Sequence, residues 1–366
     1  MYNIDEKQMN KDLKELYDRA EPSTKEFETS KYIKSRLDEM GLTYKEAFVT
    51  GLFGTLDVGA KKTIALRSDM DALPYNEACT EYRHLCGHHA NMTTLLTVLE
   101  VMVKMKDKLN VNIRYIFQPA EELVSGSVEM INAGCMEGVD EILASHTSPD
   151  IEYGFAALVE GGTMAGSNHF DIVFKGMSTH AAMPHMGTDT VTAAAEYIMS
   201  CQTILTRKKS PILDGLISFG SINGGSAANI LPGELRLAGT YRHFDKSVKQ
   251  LIEHGMKVRL KAIEDFYGIM GEFTIHEGTP PVICDKSIVS KLHKICEEKG
   301  IVVTEYEKSM GGEDFAFYLE HAPGAFIWQG VRQGDSHPPL HNSKYTVPEG
   351  ATLPAVKLLS EYLLAQ

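Results

Sequence analysis

Val111-Asn112-Ile113-Arg114-Tyr115-Ile116-Phe117-Gln118-Pro119-Ala120-Glu121-Glu122 is an apolar stretch that runs straight into two adjacent carboxylates. Residues 111–117 have the β-branched and aromatic content of a buried strand, and Pro119 ends it. Two acids set directly after such a strand and a Pro turn are poorly explained as surface charges. One can hold a metal ion while its neighbour handles the protons of an attacking water.

The pattern recurs along the chain. Residues 63–66 form a short apolar strand that ends in Arg67-Ser68-Asp69-Met70-Asp71. Asp69 and Asp71 are two apart, so an extended backbone points both the same way. Residues 141–145 are expected to be a strand that delivers His146. Residues 325–329 are expected to be another, followed by His337 and His341 in a Pro-rich loop. In an open α/β sheet, sites form outside the carboxyl ends of the strands. Chance would scatter these side chains along the elements instead.

His84-Leu85-Cys86-Gly87-His88-His89 lies ahead of a helix expected over residues 93–105, where Leu95, Leu96, Leu99 and Met102 recur at helical spacing. At the start of the chain, residues 4–17 are amphipathic. A second helix is expected from Ser23 or Thr24 to Gly41, with Phe27, Tyr32, Ile33 and Leu37 on one face.

A different unit sits in the middle. Residues 168–175 alternate like a strand, 188–206 read as a helix, and 215–222 and 234–242 alternate again. Asp245 caps a long helix to about Tyr267, and 272–276 is a last strand. The order is βαββαβ, a ferredoxin-like sandwich inserted into the first domain. The expected boundaries are residues 1–163 and 279–366 for the larger α/β domain and 164–278 for the insert. Helix 287–299 and strand 301–306 resume the larger domain.

Cys86, His88, Glu122, His146 and His341 are the candidate metal ligands. A mixed S, N and O set suits zinc, cobalt or nickel, with manganese admitted by the carboxylates. Five protein ligands exceed what one tetrahedral ion uses. Two divalent ions about 3.5–4 Å apart is the economical arrangement. Glu121 is then the general base, and Asp69 and Asp71 orient a histidine or raise its basicity. In the insert, His180 and Asn229 are candidates to donate hydrogen bonds to a developing oxyanion, and Arg242 to pair with a substrate carboxylate.

The chain has 366 residues, 43% hydrophobic and 23% charged, and this length accommodates two domains. The formal net charge of -13 argues against a nucleic-acid partner, because phosphate contacts need clustered Lys and Arg. No apolar run approaches membrane-spanning length. The polar residues 1–11 predict no secretory signal. The six cysteines include no CxxC pair, so neither a disulfide framework nor a zinc knuckle is expected. A reducing cytoplasm is the expected location.

Together these stretches resemble the co-catalytic metallopeptidase and amidohydrolase family that includes hippurate hydrolases, indoleacetyl-amino-acid hydrolases and N-acetyl-diaminopimelate deacetylases. The resemblance is carried by Ser68-Asp69-Met70-Asp71-Ala72-Leu73-Pro74, Leu85-Cys86-Gly87-His88, Gln118-Pro119-Ala120-Glu121-Glu122 and His146. It continues through His180-Ala181-Ala182-Met183-Pro184-His185, Asn229-Ile230-Leu231-Pro232, Gly239-Thr240-Tyr241-Arg242, Gly312-Glu313-Asp314-Phe315 and Leu340-His341.

It implies a mixed-sheet α/β/α catalytic domain with a metal pair and a ferredoxin-like lid that often dimerises, giving a possible homodimer. The implied reaction is hydrolysis of the amide of an N-acyl amino acid, with a dipeptidase or carboxypeptidase as the same-family alternative. The implied substrate is a small N-acyl amino acid or short peptide. The implied roles are metal binding by Cys86, His88, Glu122, His146 and His341, catalysis by Glu121 and Asp71, and substrate contact by His180 and Asn229. The usual Cys-Gly-His-Asp-Gly-His motif is here Cys86-Gly87-His88-His89-Ala90-Asn91. An acid beside a ligand is lost and a second histidine has become Asn91, which makes a catalytically altered homologue the other alternative.

Overall fold

The central strands of the sheet carry apolar side chains on both faces, which is what a sheet covered by helices on both sides requires. In the computed structural model, which describes residues 2–366, Leu66, Tyr115, Ile116 and Leu143 are all fully buried on such strands. Eight strands form one sheet in the order Tyr44–Ala47, Gly51–Leu56, Asn112–Gln118, Thr63–Asp69, Glu141–Glu152, Gly324–Arg332, Ala156–Leu158, Val303–Thr304. Thr63–Asp69 runs parallel to both of its neighbours, and Gly324–Arg332 runs parallel to Glu141–Glu152. The first strand pair is antiparallel, so the sheet is mixed. Among the described residues no helix is long and apolar enough to cross a membrane.

The helix His88–Lys104 is buried along almost its whole length and packs against Thr63–Asp69, the helix Glu6–Tyr17 and the helix Leu353–Leu364. It begins five residues before the expected start at 93. Residues 88–92 are His, Ala, Asn and Met, without the Leu periodicity that marks the rest, yet all are buried. The strand through His146 continues to Glu152 instead of stopping at 145. Its polar residues are satisfied in place, as where Gln329 Nε2 donates to Ser145 Oγ. The second helix starts at Phe27, because Thr24 sits at φ +67 and cannot be helical.

Two compact units divide the chain. The first holds Met1–Thr163, Val282–Lys308 and Glu313–Gln366, and the second holds Met164–Pro281 and Ser309–Gly312. In the second unit, four antiparallel strands lie in the order Gly215–Gly224, Glu234–His243, Gly166–Lys175, Met270–Thr279. In order of appearance that is 2-3-1-4, the ferredoxin-like arrangement. Every second residue of Gly166–Lys175 is buried. Phe170, Ile172 and Phe174 pack there with Tyr197, Ile252 and Met256 from the two helices. The helix expected over 188–206 is Thr190–Thr203, closed by a π turn over Ile204–Lys208. This unit runs past residue 278 because Thr279 still pairs with Ser167. It takes in residues 309–312 because Ala165 N donates to the carbonyls of Ser309 and Gly311.

Candidate metal centre

Parallel register sets the carboxyl ends of the central strands level: Asp69 pairs with Gln118, and Arg67 with both Ile116 and Ala144. The loop beyond Gln118 carries Glu121 and Glu122 and is tightly wound. Ala120 and Val124 are left-handed, at φ +54 and +56. Each such non-glycine residue costs about 1–3 kcal/mol and persists only when its surroundings over-determine it. Three buried carboxylates do so here. Ala120 N donates to Glu26 Oε1 (3.0 Å), Glu122 N to Asp71 Oδ2 (3.1 Å) and Ser127 N to Asp314 Oδ2 (3.1 Å).

The turn before the long helix brings in two donors. Gly87, between Cys86 and His88, has φ +92, and a Cβ there would sit 2.1 Å from Thr147 Oγ1, so only glycine fits. His88 Nδ1 lies 2.8 Å from the Asp71 carbonyl oxygen and 3.2 Å from Asp71 Oδ1, both acceptors. Nδ1 therefore carries a proton and Nε2 is aimed at the cluster. In the same way His146 Nδ1 faces the Thr147 carbonyl (2.9 Å), and its Nε2 stands 3.5 Å from Cys86 Sγ. His341 is held by its own N–H on the Leu85 carbonyl (2.8 Å), at φ +66, with Nε2 3.6 Å from Glu122 Oε1.

These placements make overlapping donor groups whose ligand atoms lie within 4.8 Å of one another: Cys86, His88 and His146; Cys86, Glu122 and His341; His88, Glu121 and Glu122. All five candidate ligands and Glu121 therefore meet, with Cys86 common to two groups. Asp71 touches His88, Glu122 N and Ser23 Oγ (2.6 Å).

The electrostatics call for a cation. Asp69, Asp71, Glu121, Glu313 and Asp314 are buried, and Arg67 is the guanidinium among them, on Asp69 (2.8 Å), Asp314 (2.6 Å), Glu313 (3.0 Å) and Gln118 (2.8 Å). Burial pushes Glu121 well above the usual carboxylate range, and Glu313, Glu122 and Asp314 push it further. Burial raises Glu122 to about 7, and burial raises the Cys86 thiol. Burial takes His146 down to about 4. Burial works against Asp69 as a charge, yet His88 and Arg67 hold it ionised, below the usual range. His88 Nε2 and Glu122 Oε1 are buried without a hydrogen-bond partner. Unpartnered N and O donors beside a thiol and excess buried acid fit divalent ions.

Sequence reasoning missed several members of this cluster. Glu313 groups with Asp69 and His146, and also with Glu121 and Asp314. The acid pair after Gly312 was legible only as part of a resemblance. Glu26, nearly a hundred residues from the loop it holds, carried no signal. The two motif departures are absorbed locally. Asn91 Nδ2 donates to Asp69 Oδ1 (2.8 Å). His89 packs its ring on Tyr17 and His84, with centroids 5.2 Å away in each case.

His180, Asn229 and Arg242 belong to the second unit. There, His180 pairs with Ile230 in a two-stranded ribbon, and Ala181 N donates to the Asn229 carbonyl (2.9 Å), so His180 and Asn229 are neighbours. Arg242 is anchored locally. Its Nε donates to the Met310 carbonyl (3.1 Å) and its Nη1 to the Tyr241 carbonyl (3.2 Å). Both acceptors belong to the backbone of the same unit.

Several known proteins are similar over nearly the full chain. An N-acetyl-L-cysteine deacetylase of Bacillus subtilis is 33% identical, with 97% of this chain and 87% of the relative covered. The IAA-amino acid hydrolase ILR1-like 5 of Arabidopsis thaliana is 32% identical, with 95% and 85% covered. The crystal structure of Bacillus subtilis YXEP, described as a dinuclear metal binding peptidase, superposes with a TM-score of 0.86 at 27% identity, covering 98% of each chain. Residues 65–365 match the profile of peptidase family M20/M25/M40, and the chain belongs to this family of metal-dependent hydrolases.

Proposed function

We propose that this protein hydrolyses the amide bond of small N-acyl amino acids, with Cys86, His88, Glu122, His146 and His341 holding two divalent ions and Glu121 moving the protons. The convergence of those five side chains, in overlapping groups whose ligand atoms lie within 4.8 Å of one another, carries the reading. The relatives named as a deacetylase of an N-acetyl amino acid and as a hydrolase of an indoleacetyl-type conjugate support the substrate class.

Bound divalent ions polarise an amide carbonyl and make water a stronger acid. The protein's own groups do the rest. Asp71 fixes His88 through Nδ1 and fixes the Glu122 backbone, so both donors are set before an ion arrives. Glu121 stands 3.9 Å from His88 Nε2. Its carboxylate takes a proton from water as the water oxygen bonds to the carbonyl carbon. It returns that proton to the departing amine nitrogen as the C–N bond breaks. The Cys, His and Glu donors favour ions of borderline softness, such as zinc, cobalt or nickel, over magnesium or calcium.

The deciding experiment measures hydrolysis of acetyl, benzoyl and indoleacetyl amino acids beside dipeptides with a free amino terminus, before and after chelation and metal reconstitution. Chelator-sensitive release of the free amino acid from an acylated substrate is expected. Cleavage confined to dipeptides replaces the acylase reading with a peptidase one. No metal-dependent hydrolysis of either class removes both.

A further inference from the structure

Glu26 occupies the position just ahead of the helix Phe27–Glu39, where an acid ordinarily caps its own helix, yet its side chain makes no capping hydrogen bond there. It is fully buried. Its Oε1 accepts from Thr24 N (2.9 Å) and from Ala120 N (3.0 Å), and its Oε2 accepts from Thr50 Oγ1 (2.6 Å). Three donors from three separate segments therefore converge on one carboxylate. Two of the N–H groups belong to left-handed non-glycine residues, Thr24 at φ +67 and Ala120 at φ +54.

Ala120 is the corner of the site. It separates the strand Asn112–Gln118 from Glu121, and its φ sets the direction in which the next side chain leaves the backbone. An L residue does not rest in this conformation unaided. Gly126 N closes the turn on the Ala120 carbonyl (3.2 Å), which holds the far side of the peptide but leaves the N–H to Glu26. Asp71 performs the equivalent task one step on, at Glu122 N, and is itself held by Ser23 Oγ from the same N-terminal turn. The short segment 23–26 thus reaches the carboxylate loop at two points, and only Glu26 touches the residue whose strain aims Glu121.

We propose that Glu26 is a positioning residue for the reaction: by accepting the Ala120 N–H it locks Ala120 in the left-handed region and so directs Glu121. The inference rests on the reading of Glu121 as the proton carrier. What matters is the acceptor, not the charge. Glutamine, which keeps a carbonyl oxygen at the same reach, substitutes for it. Methionine, of similar length but a poor acceptor, does not.

The test compares Glu26→Gln, Glu26→Met and Glu26→Met combined with Ala120→Gly in the metal-loaded protein. Glu26→Met is expected to lower kcat about 100-fold, the scale of an ångström-sized misplacement, with KM within about threefold and metal content unchanged. Glu26→Gln is expected to stay within about fivefold of wild type, and Ala120→Gly, which frees the corner to turn left-handed, to recover at least about tenfold of the loss in the Met background. A role confined to stability would lower the melting temperature without that recovery. Wild-type kcat in Glu26→Met, or no recovery with glycine at 120, overturns the proposal. Should Glu26→Met not fold, Glu26→Asp, one methylene short of Ala120, takes its place with the same two outcomes. A crystal structure of the variant decides the positional claim without reference to turnover. Ala120 leaving positive φ and Glu121 moving is expected, and an unchanged corner overturns it. Absence of hydrolysis by the wild type would instead count against the functional reading alone.

Discussion

Asn91 Nδ2 donates a hydrogen bond of 2.8 Å to Asp69 Oδ1, while Arg67 Nη1 occupies Asp69 Oδ2 at 2.8 Å. Both oxygens of this buried acid are therefore held by donors from two different elements, the long helix and the strand on which Asp69 itself sits. Asn91→Ala leaves one carboxylate oxygen buried without its donor. The expected loss is about 1–3 kcal/mol of stability, read as a lower denaturation midpoint at unchanged slope. An unchanged midpoint would show that Asn91 is not needed to hold Asp69.

Removing the proton carrier separates binding from chemistry. Glu121→Gln is expected to reduce kcat by about 10²–10⁴-fold while metal content, measured by elemental analysis, stays at the wild-type level. His146→Ala, which takes away a donor 3.5 Å from Cys86, is expected to lose metal. Near wild-type turnover in Glu121→Gln would end the assignment of Glu121.

Metal affinity follows pH. Burial raises Glu122 to about 7 and pushes the Cys86 thiol up in the metal-free protein, so protons compete for both donors near neutrality. An ion has to displace them. Affinity is expected to weaken as pH falls from about 8 to about 6, and binding to release protons. Calorimetry in two buffers of different ionisation enthalpy measures that release. Affinity indifferent to pH would exclude these two groups as ligands.

Arg67 opposes the burial-driven rise of Asp314, which still reaches about 7, and of Glu313. Arg67→Met strips the counter-charge from Asp69, Glu313 and Asp314 together. A loss of about 3–5 kcal/mol at neutral pH is expected. The sign with pH is set by Glu313 and Asp314: without Arg67 their folded-state pKa values rise further above the unfolded values, so the protonated fold is favoured. The deficit of the variant therefore shrinks as pH falls toward about 5 and grows again as pH rises. Denaturation curves of both proteins across that range check it. A deficit that grows on acidification would contradict the network as drawn.

The architecture and much of the centre could be read along the chain, because local chemistry marks them. Apolar strands such as 112–118 announce themselves by composition, and ligand-type side chains placed just past them announce the carboxyl edge of a sheet. The alternation in 166–175 exposes one face of the insert for the same reason. The long helix begins five residues before its apolar period does because its first turn, His88-His89-Ala90-Asn91, carries a candidate ligand and buried polar side chains that leave no such period.

Sequence alone therefore marked the α/β class, the βαββαβ order of the insert and the candidates Cys86, His88, Glu121, Glu122, His146 and His341, since each depends on side-chain type and its place relative to a strand end. Tertiary structure alone decided what surrounds those candidates: Glu26 on Ala120, Asn91 on Asp69 and Arg67 across three acids. These are hydrogen bonds and ion pairs between residues tens to hundreds of positions apart. Their partners are chosen by where the backbone brings them, and no local pattern records that choice.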